Sequence, residues 1–277
     1  MYDDGIESEG ANRNVRIWGN YINFSTAKVA VAATTVGPIY IFRNISGQSV
    51  ANKPFMEVEN SRGVFVKFGG RDISITGGRM YVMHNTVLQP KQPAGLGINY
   101  PMGVGSGVDS SGGLIHCNIV SRNNIFQNAK DWHLALNIVE GCGKSDINND
   151  LYYGKVPTLS TPVQTRGITG IATYAADVDL GLYQELRYDP PEPNDYPTPA
   201  QIPDAARPDP SLVLQVGPLY LPTKDPALVG NFQLASNSLG VGKAEKLPNV
   251  NDMYTSPDIG AHQRGQPNMQ FGINAYR

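Results

Sequence analysis

Apolar and polar residues alternate along the first half of the chain in runs of about five residues, without the spacing of three or four that a helix requires. The runs are bounded by Gly and Asn, which is typical of short strands separated by turns. No long amphipathic stretch lies between them, so crossover helices are not expected and the pattern predicts an all-β fold. The runs are Val15–Ile17, Pro38–Ile41, Val64–Phe68, Ile73–Ile75, Met80–Met83 and Leu114–Val120.

One local pattern recurs, with an asparagine three positions after one apolar residue and two positions before another. The asparagines in this pattern are Asn20, Asn85 and Asn123, with Asn44 in a close variant and Asn149 in a degenerate copy. They are 24, 41, 38 and 26 residues apart, which fits a repeat of about 25 residues with loops inserted in the longer intervals. Asparagine suits a turn because it tolerates left-handed backbone, and its amide can stack with equivalent amides as a ladder.

A repeat of this length fits a coil of three short strands and three turns, so the sequence predicts a parallel β-helix, a solenoid of three-strand rungs, in residues 1–155. Five of the 21 prolines precede residue 156 and sixteen follow it. Because proline cannot donate to a sheet, residues 156–277 are predicted to form a Pro-rich, largely irregular extension packed on the same domain. A β-sandwich does not explain the recurring asparagine, and the 24- and 26-residue intervals do not fit a propeller.

Composition and charge exclude several classes of partner. The chain has 277 residues, of which 17% are charged, and a net charge of -2 without a basic tract, which predicts binding neither to nucleic acid nor to an anionic membrane. No apolar run reaches the roughly 20 residues of a membrane span, and the acidic N-terminus does not resemble a signal peptide. Neither a zinc site nor an organic cofactor is expected. Cys117 and Cys142 are 25 residues apart, about one repeat, which fits either a disulfide or two buried thiols.

Four carboxylates crowd the start of the chain, at Asp3, Asp4, Glu7 and Glu9. They repel one another unless a cation, a base or a raised pKa compensates the charge. On a strand with Ile6 facing the core, Glu7 and Glu9 face outward and Asp3 joins them. Such a row fits Ca²⁺, which prefers carboxylate oxygens, or a general acid and base pair. A solvated acidic strand is the remaining interpretation.

Five longer phrases carry a family likeness: Asp3–Glu7, Val36–Asn44, Gly78–Thr86, Arg122–Phe126 and Ser256–His262. Together they resemble the bacterial family of right-handed parallel β-helices with the pectate-lyase-type fold. The resemblance implies a right-handed coil, a segment Phe232–His262 that packs back on it, and a carbohydrate-active protein that is secreted or held in the cell envelope. Relatives carry several rungs before the Asp-Asp-Gly-Ile-Glu phrase, which begins here at residue 3. The first rung is therefore expected to be exposed and to favour association, as in a homo-oligomer.

The resemblance also implies lyase chemistry, in which a base removes the proton alpha to a uronate carboxylate while a cation neutralises that carboxylate. Counting back from the corner asparagines places Asp4, Lys28 and Lys67 near one column, with an error of at least one residue. The predicted catalytic residues are Lys67, Arg71, Asp4 and Glu7, and the predicted calcium ligands are Asp3, Asp4, Glu7 and Glu9. Lys67 and Arg71 are expected to act as base or substrate clamp.

The predicted substrate-binding residues are Lys28, Arg43, His84 and Trp18. His84 precedes a corner asparagine and is placed in one column with Arg43 and Arg122, which fits an anionic sugar groove or a solvated ridge. Trp18 offers a flat ring for a pyranose face or for packing.

Three functions follow from these features. An enzyme that acts as a lyase on an acidic, uronate-containing polysaccharide or oligosaccharide is favoured. A non-catalytic glycan-binding or structural β-helix is the alternative, and a glycoside hydrolase with paired carboxylates is the third. Fold resemblance does not choose among them.

Overall fold

The computed structural model describes residues 5–22, 25, 27–46, 64–67, 77–88, 104–105, 118–127, 144–153, 165–170, 172–175 and 230–275. Regular structure in these residues is strand throughout, apart from one 3-10 turn at Gly272–Asn274. The prediction of an all-β fold is therefore confirmed. The strands are β1 (Ile6–Glu7), β2 (Val15–Trp18), β3 (Tyr21–Ile22), β4 (Ala27–Ala30), β5 (Ile39–Phe42), β6 (Ile45–Ser46), β7 (Val64–Lys67), β8 (Met80–Met83), β9 (Thr86–Leu88), β10 (Val104–Gly105), β11 (Ile119–Arg122), β12 (Ile125–Gln127), β13 (Asp146–Tyr153) and β14 (Thr165–Thr169).

The described strands form two parallel sheets, and from β1 to β12 each pairing joins strands that are three places apart in sequence. The first sheet has the order β1-β4-β7-β10. The second follows the path β2-β5-β8-β11-β13-β12-β9-β6-β3, with β14 added against β13. β13 is long enough to pair with β11 along its first half and with β12 along its second. This pattern of parallel pairing is that of a β-helix-like solenoid.

Branched and aromatic side chains on alternate strand positions fill the interior, as the period of two requires. In the first sheet Ile6, Val29 and Val66 are in register and face the core. In the second sheet Ile17, Ile41 and Val82 are likewise in register and face the core. The residues between them on each strand consequently face outward.

A ladder of buried side-chain amides holds successive turns of the solenoid together. The Nδ2 of Asn20 donates to Oδ1 of Asn44 over 2.9 Å, Asn44 donates to Asn85 over 3.0 Å, and Asn85 donates to Asn124 over 2.8 Å. The ladder ends where Asn124 donates to Oδ1 of Asp150 over 2.8 Å. An amide both donates and accepts, so it can be repeated, whereas an ionised carboxylate can only accept and ends the series.

The predicted ladder was therefore wrong by one residue in its last two members, since Asn124 and Asp150 take the places assigned to Asn123 and Asn149. Asn123 and Asn149 instead have left-handed backbone, with φ of 60° and 57°. In each of these copies two adjacent polar residues, Asn123-Asn124 and Asn149-Asp150, are candidates for the ladder, so the sequence left the register ambiguous.

Residues 230–275, here called the C-terminal segment, lie against the solenoid. Their N-terminal part pairs with residues that follow β14, through an antiparallel bridge between Leu234 and Tyr174. Further along, Gly260 N donates to Asn123 O over 2.8 Å and Ala261 N donates to the Thr86 hydroxyl over 2.9 Å. Leu234 and Ile259 complete an apolar cluster with Ile125, Leu151 and Ala172.

The end of the C-terminal segment reaches β2. The N–H of Gly272 donates to the carbonyl of Gly19 over 2.9 Å, and a side chain added at Gly19 would meet the Ala275 methyl at 2.5 Å. The segment thus crosses the turns of the solenoid from β14 to β2. Residues 176–229, which contain most of the prolines, lie outside the described residues, so the division at residue 155 stays a prediction. Among the described residues there is no helix long and apolar enough to span a membrane.

Candidate functional site

The outward side of the second sheet carries a row of cationic and aromatic side chains. Arg16, Tyr40 and Tyr81 are in register on β2, β5 and β8. The two tyrosine rings stack with their centroids 5.1 Å apart and an interplanar angle of 6°. The guanidinium carbon of Arg16 lies 5.7 Å from the Tyr40 centroid, and that of Arg79 lies 5.8 Å from the Tyr81 centroid. These four residues are called the cation–aromatic row.

The cation–aromatic row is positively charged. Arg16 is exposed and Arg79 is half-buried. Among the described residues neither arginine forms an ion pair with a carboxylate. Stacking on an aromatic ring leaves the charge and the N–H edge of a guanidinium available to a third group. The row can therefore accept an anion by paired N–H donors.

A second outward row lies two residues further along the same strands. It contains Trp18, Phe42, Met83 and Arg122, in register on β2, β5, β8 and β11. The Trp18 and Phe42 rings stack with centroids 6.0 Å apart and an interplanar angle of 10°. Arg122 forms ion pairs with Asp146 and, over 3.0 Å, with Glu245.

The predicted column of Arg43, His84 and Arg122 is wrong in its last member. Arg122 is in register with Met83, and the position after Met83 is matched by Asn123. Gly19, Arg43, His84 and Asn123 all have left-handed φ, between 50° and 64°. The corner therefore uses one left-handed residue per turn, and Arg43 and His84 share it without a third cation.

A cleft opens between this corner and the C-terminal segment, and it brings together two of the predicted substrate-binding residues, Trp18 and Arg43. The other residues that line it are Gly19, Tyr254, Ala261, His262, Gln263, Gln266, Pro267, Met269 and Gln270. The cavity volume is about 50 Å³. Arg43 is half-buried at its base, with Nη2 donating to the Val250 carbonyl over 3.2 Å. The cleft is named the corner cleft.

His84, another predicted substrate-binding residue, is buried beneath the C-terminal segment with 1% of its surface exposed. Its Nε2 faces the Nδ2 amides of Asn123 at 3.1 Å and Asn251 at 2.6 Å. Because both amides are donors, Nε2 accepts and Nδ1 carries the proton that it donates to the Gly260 carbonyl over 3.0 Å. The pKa of His84 is lowered to about 4, chiefly by burial and in part by the nearby Arg43 charge, while the hydrogen bond to Gly260 and the Asp258 charge oppose the shift. The imidazole is therefore neutral and joins the solenoid to the C-terminal segment.

The first sheet places Glu7 and Lys67 on one outward face. Glu7, Ala30 and Lys67 are in register, opposite to the inward residues of the same strands. Oε1 of Glu9 lies 4.0 Å from Nζ of Lys67, and both side chains are partly exposed. The predicted column was offset by two residues, because Lys28 is matched by Phe65 rather than by Lys67. An offset of two preserves the face.

Lys28 lies on that face but has only 1% of its surface exposed. Its Nζ donates to the Ser25 carbonyl over 3.0 Å, and burial lowers its pKa well below the usual value. The Lys28 side chain is therefore held against the backbone and is not exposed at the surface, where the prediction placed it for substrate binding.

The predicted calcium site is only partly within the described residues. Glu7 and Glu9 are described, whereas Asp3, Asp4 and the predicted base Arg71 are not. Within the described parts of the chain no three His, Cys, Asp or Glu side chains come together as a metal site. Two carboxylates, one of them next to Lys67, do not supply the six to eight oxygens that Ca²⁺ takes. Calcium stays a prediction. Cys117 and Cys142 lie outside the described residues, so the alternatives of a disulfide and two buried thiols both stay open.

Sequence reasoning missed the cation–aromatic row, although a signal for it was present. Tyr40 and Tyr81 each stand four positions before a ladder asparagine, as does Arg16 before the first. Equal distances from one corner place residues in register on adjacent strands. Arg79 carries no such signal, because it belongs to the turn before β8.

Comparison of the chain with protein-family models, with curated proteins and with solved structures gave no match. The resemblance to the pectate-lyase-type family therefore stays a prediction.

Proposed function

We propose that the protein binds an acidic polysaccharide along the outward face of the second sheet. The observation that supports the proposal is the cation–aromatic row, in which two arginines without a carboxylate partner among the described residues flank stacked tyrosines. Such polymers occur outside the cell and in its envelope, so that location is part of the proposal.

The spacing of the solenoid suits a linear polyanion. Neighbouring strands lie about 4.8 Å apart, so side chains in register repeat regularly along the axis. A polymer lying parallel to that axis meets Arg16 and Arg79 in succession. A guanidinium pairs with a carboxylate through two parallel hydrogen bonds, each worth roughly 1.5 to 3 kcal/mol when one partner is charged. The phenol groups of Tyr40 and Tyr81 add hydrogen-bonding capacity for sugar hydroxyls.

The proposal includes a finer description of the fold, a right-handed parallel β-helix with three-strand rungs. It is supported by the order in which one strand of the first sheet and two of the second recur along the chain, and by the right-handed preference of parallel crossovers.

The direct test is a binding panel of soluble polymers that differ in charge. We expect polygalacturonate and alginate to retard the protein in affinity electrophoresis, and dextran and neutral galactan to leave it unaffected. Retardation should weaken as salt rises, because the contacts are ionic. Equal retardation by neutral and acidic polymers, or none by either, contradicts the proposal.

A second candidate function is lyase activity at the first sheet, which the shared outward face of Glu7, Glu9 and Lys67 favours. In such a reaction a base takes the proton alpha to a uronate carboxylate, the electron pair forms a double bond, and the glycosidic oxygen leaves with a proton. Lys67 forms an ion pair with Glu9 over 4.0 Å, an arrangement that suits a clamp on the substrate carboxylate better than a base. This is why binding is placed before catalysis.

The ultraviolet absorbance of an unsaturated sugar product distinguishes the two functions. The protein is incubated with each acidic polymer, with and without added Ca²⁺, and Lys67→Gln serves as the variant. Absorbance that rises with the wild type and is lost in Lys67→Gln supports the lyase. A polymer that is bound but never gains absorbance excludes the lyase for that polymer, and new saturated reducing ends indicate a hydrolase.

A further inference from the structure

We infer that the corner cleft is a separate binding site for one carboxylate-bearing sugar residue, with Arg43 holding the carboxylate. The inference rests on the proposed function only for the source of its ligand, an end of an acidic polymer. The site is distinct from the cation–aromatic row, which lies along the strands.

The charge of Arg43 is the first argument. The side chain is half-buried, and among the described residues it forms no ion pair with a carboxylate. Within the described parts of the chain, its side chain donates one hydrogen bond, from Nη2 to the Val250 carbonyl over 3.2 Å. The neighbouring histidines, His84 and His262, are both held towards their neutral form, with burial as the main cause and the Arg43 charge as a further one. The other residues that line the cleft are uncharged, and the nearby Asp258 carboxylate is paired with Arg264 over 2.8 Å, so a partly desolvated guanidinium gains from an anion that enters the cleft.

The size and lining of the cleft limit what that anion is. A cavity of about 50 Å³ has room for a carboxylate and an adjacent hydroxyl beside Arg43. The sugar ring would lie at the mouth, where Trp18 and Tyr254 offer aromatic surface. Gln266 and Gln270 line the same opening and carry amides that match hydroxyl groups as donor or acceptor.

The position of the cleft connects it with the outward face of the second sheet. Trp18 stands two residues after Arg16 on β2, so both side chains are on the same side of the strand. A polymer bound to the cation–aromatic row would therefore pass beside the corner cleft at Trp18. Recognition of a chain end by the cleft would fix where the polymer begins on the face.

The test is titration calorimetry of the full chain with free galacturonate, and with galactose as its neutral counterpart. We expect galacturonate to bind at least tenfold more tightly than galactose. Arg43→Gln should weaken galacturonate binding at least tenfold, because the amide keeps a polar side chain in the cleft but carries no charge. Arg13→Gln, an exposed arginine in the turn before β2, is the matched control and should bind as the wild type does.

Gln266→Ala is the second variant, since it removes an amide at the mouth of the cleft while the backbone hydrogen bonds of this residue remain. We expect it to weaken galacturonate by about threefold or more while unfolding as the wild type does. Equal affinity for galactose, unchanged binding in Arg43→Gln, or competition by acetate at the same concentration as galacturonate would each overturn the inference. Galacturonate binding by a protein that fails to bind any acidic polymer would overturn the proposed function and leave the inference standing.

Discussion

At the scale of single residues, Asp150 is a buried ionisable group at the end of the amide ladder, and its protonation affects the stability of the fold. It is fully buried, and it accepts hydrogen bonds from Asn124, from the Ser121 hydroxyl over 2.7 Å and from the Tyr152 hydroxyl over 3.1 Å. Burial raises the pKa of Asp150 to about 6, although these hydrogen bonds oppose the shift. The folded protein therefore prefers the protonated acid more than the unfolded chain does.

The consequence for stability is a dependence on pH between about 4 and 6. A folded pKa above the unfolded value means that the stabilisation is complete below the unfolded pKa and is lost as pH rises through the folded one. We expect the free energy of unfolding of the wild type, relative to Asp150→Asn, to fall by roughly 1 to 3 kcal/mol from pH 4 to pH 7.

Urea unfolding at several pH values measures this difference. His84 has the opposite dependence, because its pKa is lowered, but it is present in both proteins and cancels. Asp252→Asn, at an exposed carboxylate of the C-terminal segment whose hydrogen bond from the Asn249 N–H an amide oxygen can keep, is the control and should follow the wild type within about 0.5 kcal/mol. Parallel curves for the wild type and Asp150→Asn would show that Asp150 does not titrate in this range.

At the scale of structural elements, the amide ladder should contribute least to stability at its first member, Asn20, and most at a central member, Asn85. Asn85 is fully buried, accepts from both nitrogens of Asn44, and donates to Asn124 and to the Ile41 carbonyl. Asn20 is half-buried and is the first member, so its oxygen receives no amide from a preceding described turn. Asn85→Ala is expected to cost roughly 3 to 5 kcal/mol, and Asn20→Ala about 1 kcal/mol.

Chemical denaturation of the two variants tests this order. Equal losses for Asn85→Ala and Asn20→Ala would mean that the ladder does not connect the turns of the solenoid as described.

The C-terminal segment should be an integral part of the fold, and Gly260 tests this. Its φ is +101°, and an added methyl would lie 2.6 Å from Cδ1 of Ile125 and 2.9 Å from Oγ1 of Thr86. Gly260→Ala should therefore cost roughly 2 to 4 kcal/mol through overpacking and backbone strain. Gly265→Ala, at φ of +76° with no atom within 4 Å, carries the backbone cost of about 1 kcal/mol alone.

Hydrogen exchange locates the effect of the two substitutions. Gly260→Ala should speed exchange in residues 240–263 and in the strands β9 and β12 that they contact. If only the C-terminal segment responds, and the free energy of unfolding is unchanged, the segment is an appendage that the solenoid does not need.

At the scale of the whole molecule, the sequence predicted the solenoid because one residue type recurs at one corner. The position of Asn20, Asn44 and Asn85 is a local signal, since an amide can bond to its own copies in adjacent turns. The signal failed at Asn123-Asn124 and Asn149-Asp150, where two adjacent polar residues can each occupy the ladder and only packing selects one.

The candidate site was harder to predict because it depends on contacts between distant segments. Trp18 and Arg43 were selected from the first turns, yet the Gln side chains and Tyr254 that complete the corner cleft lie more than 200 residues later. His84 and Lys28 were selected for their charge, and the structure buries both. His84 is buried by the C-terminal segment, and contact with so distant a segment cannot be inferred from a strand pattern.

Binding of acidic polysaccharide to the cation–aromatic row should depend on the charges of Arg16 and Arg79, and two matched double variants measure that dependence. The double variant Arg16→Gln with Arg79→Gln removes two positive charges from the row, and Lys243→Gln with Lys246→Gln removes two from an exposed part of the C-terminal segment. Binding of each protein to polygalacturonate is measured at low salt by affinity electrophoresis. We expect at least a tenfold loss of affinity for the arginine variant and less than a twofold change for the lysine variant. Equal losses in both would show that only net charge matters, and would contradict the proposal.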